Sequence, residues 1–144
     1  MRKAILALSL LIMAAFAFNA CSSDDDDTNE ATNILGRWNM LSYGGGWSPI
    51  IKLQPGDVIV TFLADGYFKV ECKPGVKPAF PFTEGKHTYQ FTKLERSIFG
   101  DHCSNWMLID GDDIELYAID FYDGILSLSQ EAYDGNGFSF VRTW

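Results

Sequence analysis

Leu35-Gly36-Arg37-Trp38-Asn39-Met40-Leu41-Ser42-Tyr43 opens the folded part of the chain, and Phe138-Ser139-Phe140-Val141-Arg142-Thr143-Trp144 is its distant partner. Side chains alternate along a strand, so Gly36, Trp38, Met40 and Ser42 share one face of the first stretch. By the same rule Phe138, Phe140 and Arg142 share a face of the second. An arginine in phase with two apolar rings turns inward with them, and its guanidinium then needs a partner. The flat face of Trp38 supplies one. First and last strands must therefore be neighbours, which means a closed barrel.

Working outward, no long segment carries the 3.6-residue apolar period of a surface helix. Short alternating runs punctuated by Gly, Asp and Asn predict strands over 35–43, 57–63, 67–73, 86–92, 104–110, 113–119, 125–130 and 138–143. Ala64-Asp65-Gly66 and Asp110-Gly111-Asp112 read as tight hairpins, and Asp120 to Gly124 and Asp134-Gly135-Asn136-Gly137 close the last two. Residues 93–103 are read as a connection with a short helical turn around Leu94 to Phe99. Successive hairpins favour an all-β, eight-stranded antiparallel up-and-down barrel over a Greek key. Eight strands close around a packed interior or one small ligand.

Parity places Trp38, Met40, Val58, Val60, Phe62, Phe68, Val70, His87, Tyr89, Phe91, Trp106, Leu108, Ile114, Leu116, Leu126, Leu128, Phe138 and Phe140 inside. Charged and hydroxylated residues such as Arg37, Lys69, Glu71, Glu115 and Ser127 fall on the other face. Leu41, Tyr43, Leu63, Tyr117 and Ile119 break the alternation, which suggests an outside partly covered by loops. Two connections are long. Gly44 to Gly56 carries Trp47 and Ile50-Ile51, and Lys73 to Glu84 carries three prolines with Phe80 and Phe82. Loops of this length in a compact domain are commonly lids or binding loops.

Upstream, residues 1–20 pair a positive start (Arg2, Lys3) with an apolar run from Ala4 to Phe18, as in a secretory signal. Asn19-Ala20-Cys21 resembles the lipobox of bacterial lipoproteins, which implies cleavage before Cys21 and acylation of its thiol and amino group. Several acyl chains exceed the two signals that stable anchoring takes. Residues 21–33 read as an acidic, disordered tether, since Asp24 to Asp27 and Glu30 leave nothing to bury. A flexible run of aspartates does not preorganise a calcium shell. Acidic residues just after the lipidated cysteine resemble the signal that sends lipoproteins to the outer face in some Gram-negative bacteria. The expectation is an outer-membrane lipoprotein facing the cell surface, with the periplasmic face as alternative.

Cleavage removes two of the eleven basic residues and leaves nineteen acidic ones, a formal charge of about −10, of which the domain at 34–144 carries about −5. Such a domain repels phosphate backbones, and no basic stripe interrupts it, so nucleic acid is excluded as a partner. Cys72 and Cys103 remain as an even pair in an oxidising compartment, which favours a disulfide. Closing a loop of this length is worth roughly 3–4 kcal/mol on the chain-entropy estimate. The rival is a metal site of Cys72, Cys103 and His102, disfavoured because adjacent residues rarely face one ion.

Gly36-Arg37-Trp38 matches the Gly-x-Trp of a first lipocalin strand and Arg142 the basic residue of the last, so the region 34–144 resembles a lipocalin-like, calycin-type domain. The resemblance implies that Trp38 plugs the closed end of the barrel and that Arg142 stacks across it. No Thr-Asp-Tyr-type middle motif or C-terminal helix is present, which points to the short lipocalin-like domains of bacterial lipoproteins. No ligand is carried over.

Chemistry is sparse. No Gly-x-Ser-x-Gly, His-Glu-x-x-His or phosphate loop occurs, and neither an enzyme nor a cofactor is expected. Asp110, Asp112 and Asp113 lack the remaining positions of a calcium loop and fit turn chemistry. His87 reads either as a half-exposed rim residue or as a hydrogen-bonding group in a cavity. Phe62, Phe68, His87, Tyr89, Phe91 and Trp106 are the candidate lining of a pocket for a small hydrophobic or aromatic molecule, over which Trp47, Phe80 and Phe82 close. The alternatives are an interaction module joining an envelope protein complex through a filled barrel, or a carbohydrate-binding sandwich that stacks sugars on Trp47, Tyr122 and Tyr133.

Overall fold

The computed structural model describes residues 34–94, 96–98 and 105–143; the leader, Cys21 with its tether, His102 and Cys103 lie outside the described residues. Nine strands follow in order: β1 (Gly36–Gly45), β2 (Ser48–Lys52), β3 (Val58–Phe62), β4 (Tyr67–Cys72), β5 (Gly85–Thr92), β6 (Trp106–Ile109), β7 (Leu116–Tyr122), β8 (Ile125–Gln130) and β9 (Gly137–Arg142). The sheet order is β2-β1-β3-β4-β5-β6-β7-β8-β9, adjacent strands all antiparallel, and β1 also pairs with β9. The result is a closed eight-stranded up-and-down barrel of β1 and β3–β9, consistent with a calycin-type architecture. The ninth strand, β2, folds back on the far end of β1 with Tyr43 opposite Ile51. Of the expected helical turn, Leu94, Arg96, Ser97 and Ile98 are described and are not helical; its other residues lie outside the described ones.

Closure happens where the sequence places it. Trp38 lies directly across from Arg142 in the β1–β9 ladder. The guanidinium carbon sits 4.5 Å from the indole centroid, and Arg142 Nη1 donates to the Leu35 carbonyl at 3.0 Å. Trp38 Nε1 donates to the Ile34 carbonyl at 2.7 Å, and Ile34 is fully buried. Gly36 adopts φ +112°, and a Cβ there would stand 3.2 Å from Arg142 Nη1. The glycine of Gly-x-Trp thus makes room for the arginine.

Three departures from simple alternation have local causes. A bulge between Met40 and Ser42 in the β1–β9 register reverses the phase of β1. Beyond it Tyr43, not Ser42, turns onto the core. In β6 the run Trp106-Met107-Leu108-Ile109 is apolar in both phases, so periodicity does not decide it. Met107 and Ile109 enter the core, and Trp106 and Leu108 do not. Finally, the β6–β7 connection is longer than Asp110-Gly111-Asp112. Asp112 caps it by accepting from the Ile114 amide at 3.0 Å, which delays β7 to Leu116. Tyr117 and Ile119 therefore point inward and Ile114 stands in solvent, the reverse of the expected parity. Glu115, expected outside, is buried beside Tyr117.

Candidate functional site

Because the strands run up and down, alternate connections gather at opposite ends of the barrel. The Trp38–Arg142 end also holds the β3–β4 and β7–β8 turns. At the open end lie the β1–β2 turn, the β4–β5 loop (73–84), the β6–β7 turn (110–115) and the β8–β9 turn (131–136). Tyr122 is at the closed end and Trp47 and Tyr133 at the open one, so the three rings form no common platform for a sugar.

The β4–β5 loop does more than cover the mouth. Phe82 is fully buried and inserts its ring between the walls, with centroids 5.4 Å from Phe68, 4.7 Å from Phe138 and 5.3 Å from Phe140. Its neighbour Phe80 stays half exposed. Phe68 in turn meets Phe62 at 5.3 Å, Phe62 meets Tyr89 edge-on at 5.5 Å, and Phe91 meets Tyr89 edge-on at 5.6 Å. The expected lining residues Phe62, Phe68, His87, Tyr89 and Phe91 are brought together ring against ring, and Phe68 also meets Phe82. Trp106 is buried on the face turned away from this cluster, opposite Ala118. It does not line the interior.

His87 fastens the plug. Its ring stacks on Phe68 at 5.0 Å and 18°. Nε2 lies 2.8 Å from the Thr83 carbonyl, one residue beyond Phe82, and Nδ1 lies 2.8 Å from Asp110 Oδ2. The ring thus bridges the β4–β5 loop and the β6–β7 turn. Burial opposes charge on Asp110. The hydrogen bonds from His87 and Thr88 and the His87 charge outweigh it, holding this carboxyl below the usual aspartate range. On the other side of the loop Tyr43 Oη donates to the Lys77 carbonyl at 3.2 Å.

Comparison with known protein families, curated proteins and solved structures returns no match.

Among the described residues, concave features mark the open end. A groove of about 540 Å³ runs along the β4–β5 loop, lined by Cys72, Val76, Pro74, Pro78, Lys77 and Glu84 among others. Cys72 and Val76 also pack against the core, so its floor is continuous with the barrel wall. Cys72 is a free thiol among the described residues; its expected partner Cys103 lies outside them. Burial and the Glu84 carboxylate push that thiol up. A second cleft of about 430 Å³ lies between the β1–β2 and β8–β9 turns, lined by Gly46, Trp47, Tyr133 and Asp134.

Two features escaped the sequence reading. Asp110 reaches His87 from 23 residues away, which no local spacing reveals. Glu115 is 7% exposed and accepts a short hydrogen bond from the Tyr117 hydroxyl inside the barrel. Burial and that carboxylate push the phenol far above its ordinary range.

Proposed function

We propose that the protein is a non-enzymatic binding module of the cell envelope, held by acyl chains on Cys21 and a short acidic tether, that takes a small hydrophobic or aromatic molecule. The ligand sits at the open end in the groove of the β4–β5 loop, not in the interior. The observation that carries this reading is Phe82: the barrel fills its own centre with a ring from the loop whose outer side is the groove. The groove has the volume and mainly apolar walls of a small-molecule site. His87 and Asp110, the pair best suited to proton chemistry, are spent on holding the loop. Lipocalin-like kinship, a surface location and the Cys72–Cys103 bond belong to this same reading, supported by Gly36-Arg37-Trp38, Arg142 and the Asn19-Ala20-Cys21 sequence.

A filled barrel also suits a protein partner, and Trp47, Phe80, Ile114 and Tyr133 are all exposed at the open end. Native mass spectrometry separates the two readings. The mature chain carrying Cys21→Ser, purified from its host, retains a small co-purified mass, and Val76→Trp, which fills the groove, loses it. A chain free of small molecules that co-purifies with an envelope protein instead supports the second reading and sinks the first.

A further inference from the structure

We infer that the cleft between the β1–β2 and β8–β9 turns is a separate binding site for an organic cation of the quaternary ammonium class. Trp47 is 93% exposed and Tyr133 95% exposed. At those values neither ring covers the other, although both line the same cleft of about 430 Å³. Two large exposed rings at one cleft form an apolar surface of the kind that marks a binding site.

The turns that carry them are fitted together backbone to backbone. A Cβ on Gly46 would fall 2.0 Å from the Asp134 carbonyl oxygen, and one on Gly45 would stand 3.2 Å from that of Gly135. Gly46 also has φ +58°, a conformation that glycine adopts without strain. The β8–β9 turn is braced from within, with Asn136 N donating to Gln130 Oε1 at 3.1 Å and Gly135 N to the Ala132 carbonyl at 3.1 Å. The two turns that carry the rings are thus held against each other by the fold.

Charge selects the occupant. Asp134 also lines the cleft, and the domain around it carries about five net negative charges. Electron-rich ring faces and a carboxylate both favour positive charge, while an anion is repelled. A small inorganic cation holds its water too firmly to trade it for ring faces. A methylated ammonium is large, weakly hydrated and apolar at its surface, so it gains from both rings and from Asp134. A neutral sugar would stack on the rings but draw nothing from the net charge.

The test uses the mature chain with Cys21→Ser, titrated by calorimetry with choline and with 3,3-dimethyl-1-butanol, its uncharged isostere. Choline binds saturably and at least tenfold more tightly than the isostere. Trp47→Ala and Tyr133→Ala, both at solvent-exposed positions, each abolish binding without shifting the unfolding midpoint, and Asp134→Asn weakens it several-fold. Val76→Trp in the other groove leaves it unchanged, which keeps this site distinct from the one proposed above. Choline binding accompanied by retention on phosphatidylcholine vesicles assigns the cation to a lipid headgroup, and choline binding alone assigns it to a free solute; both uphold the inference. Equal affinity for the isostere, binding of a neutral disaccharide in place of choline, or no binding of either overturns it.

Discussion

Replacing Phe82 by alanine tests whether the barrel is filled by its own loop. A buried phenylalanine removes roughly 150–250 Å² from water. At about 25 cal/mol per Å² the lower bound alone is worth about 4 kcal/mol. Alanine keeps a little of that area, and the vacated volume adds a cavity penalty when the surroundings cannot collapse. Here they cannot collapse freely: the loop is tied at Lys77 by Tyr43 and at Thr83 by His87, and the barrel walls are fixed by their ladders. The expected loss is about 3–5 kcal/mol, the range for deleting a core phenylalanine. Urea unfolding followed by intrinsic fluorescence measures it, with the slope of the transition unchanged. The hole left behind is apolar and closed by Phe68, Phe138 and Phe140, so benzene should raise the variant's midpoint and not the parent's. A loss below about 1 kcal/mol, with no response to benzene, would mean that Phe82 does not occupy the barrel, and the groove proposal would fall with it.

Arg142→Ala should cost about 1–3 kcal/mol through the lost ring contact and the unmet Leu35 carbonyl, and Arg142→Lys should recover less than half, since an ammonium lacks the planar fork; hydrogen exchange would show the β1 and β9 amides opening first. Tyr117→Phe leaves the Glu115 carboxylate buried without its donor and should cost about 1–3 kcal/mol, while adding Glu115→Gln to that variant should return part of the loss, as denaturation midpoints would show. The contribution of Asp110 is complete above the ordinary aspartate range and disappears as pH falls through its lower folded value, so Asp110→Asn should flatten the acid limb of a stability profile below about pH 4.

Barrel closure was legible because it rests on period-2 arithmetic and on one chemical demand, a guanidinium that must find a ring. The hairpins at Ala64-Asp65-Gly66 and near Gly124 were legible for the same kind of reason: glycine marks positive φ whatever surrounds it. What failed was phase. The bulge at Leu41 leaves no mark in composition, and it alone moves Tyr43 inward. Residues 106–109 are apolar on both faces, so only the register Phe91 to Met107 and Tyr89 to Ile109 settles which side faces the core. The β6–β7 turn was read three residues too short, which inverted Ile114, Glu115 and Tyr117 together. β2 was missed because Gly44-Gly45-Gly46 and Pro49 look like loop, although its five residues pair on one edge only. Phe82 belongs to another class of failure. Nothing local separates a ring that lies over a mouth from one that descends into it; that choice depends on the room left by Phe68, Phe138 and Phe140.

The Arg142–Leu35 hydrogen bond spans 107 residues. Until the ribosome has delivered β9, one edge of β1 has no strand to pair with, and the ring cannot be completed from a partial chain. Folding of this domain is consequently governed by a slow, non-local search. Before β9 arrives, β1 also presents a bare strand edge, so closing the ring removes a template for edge-to-edge association at the same moment that it completes the core.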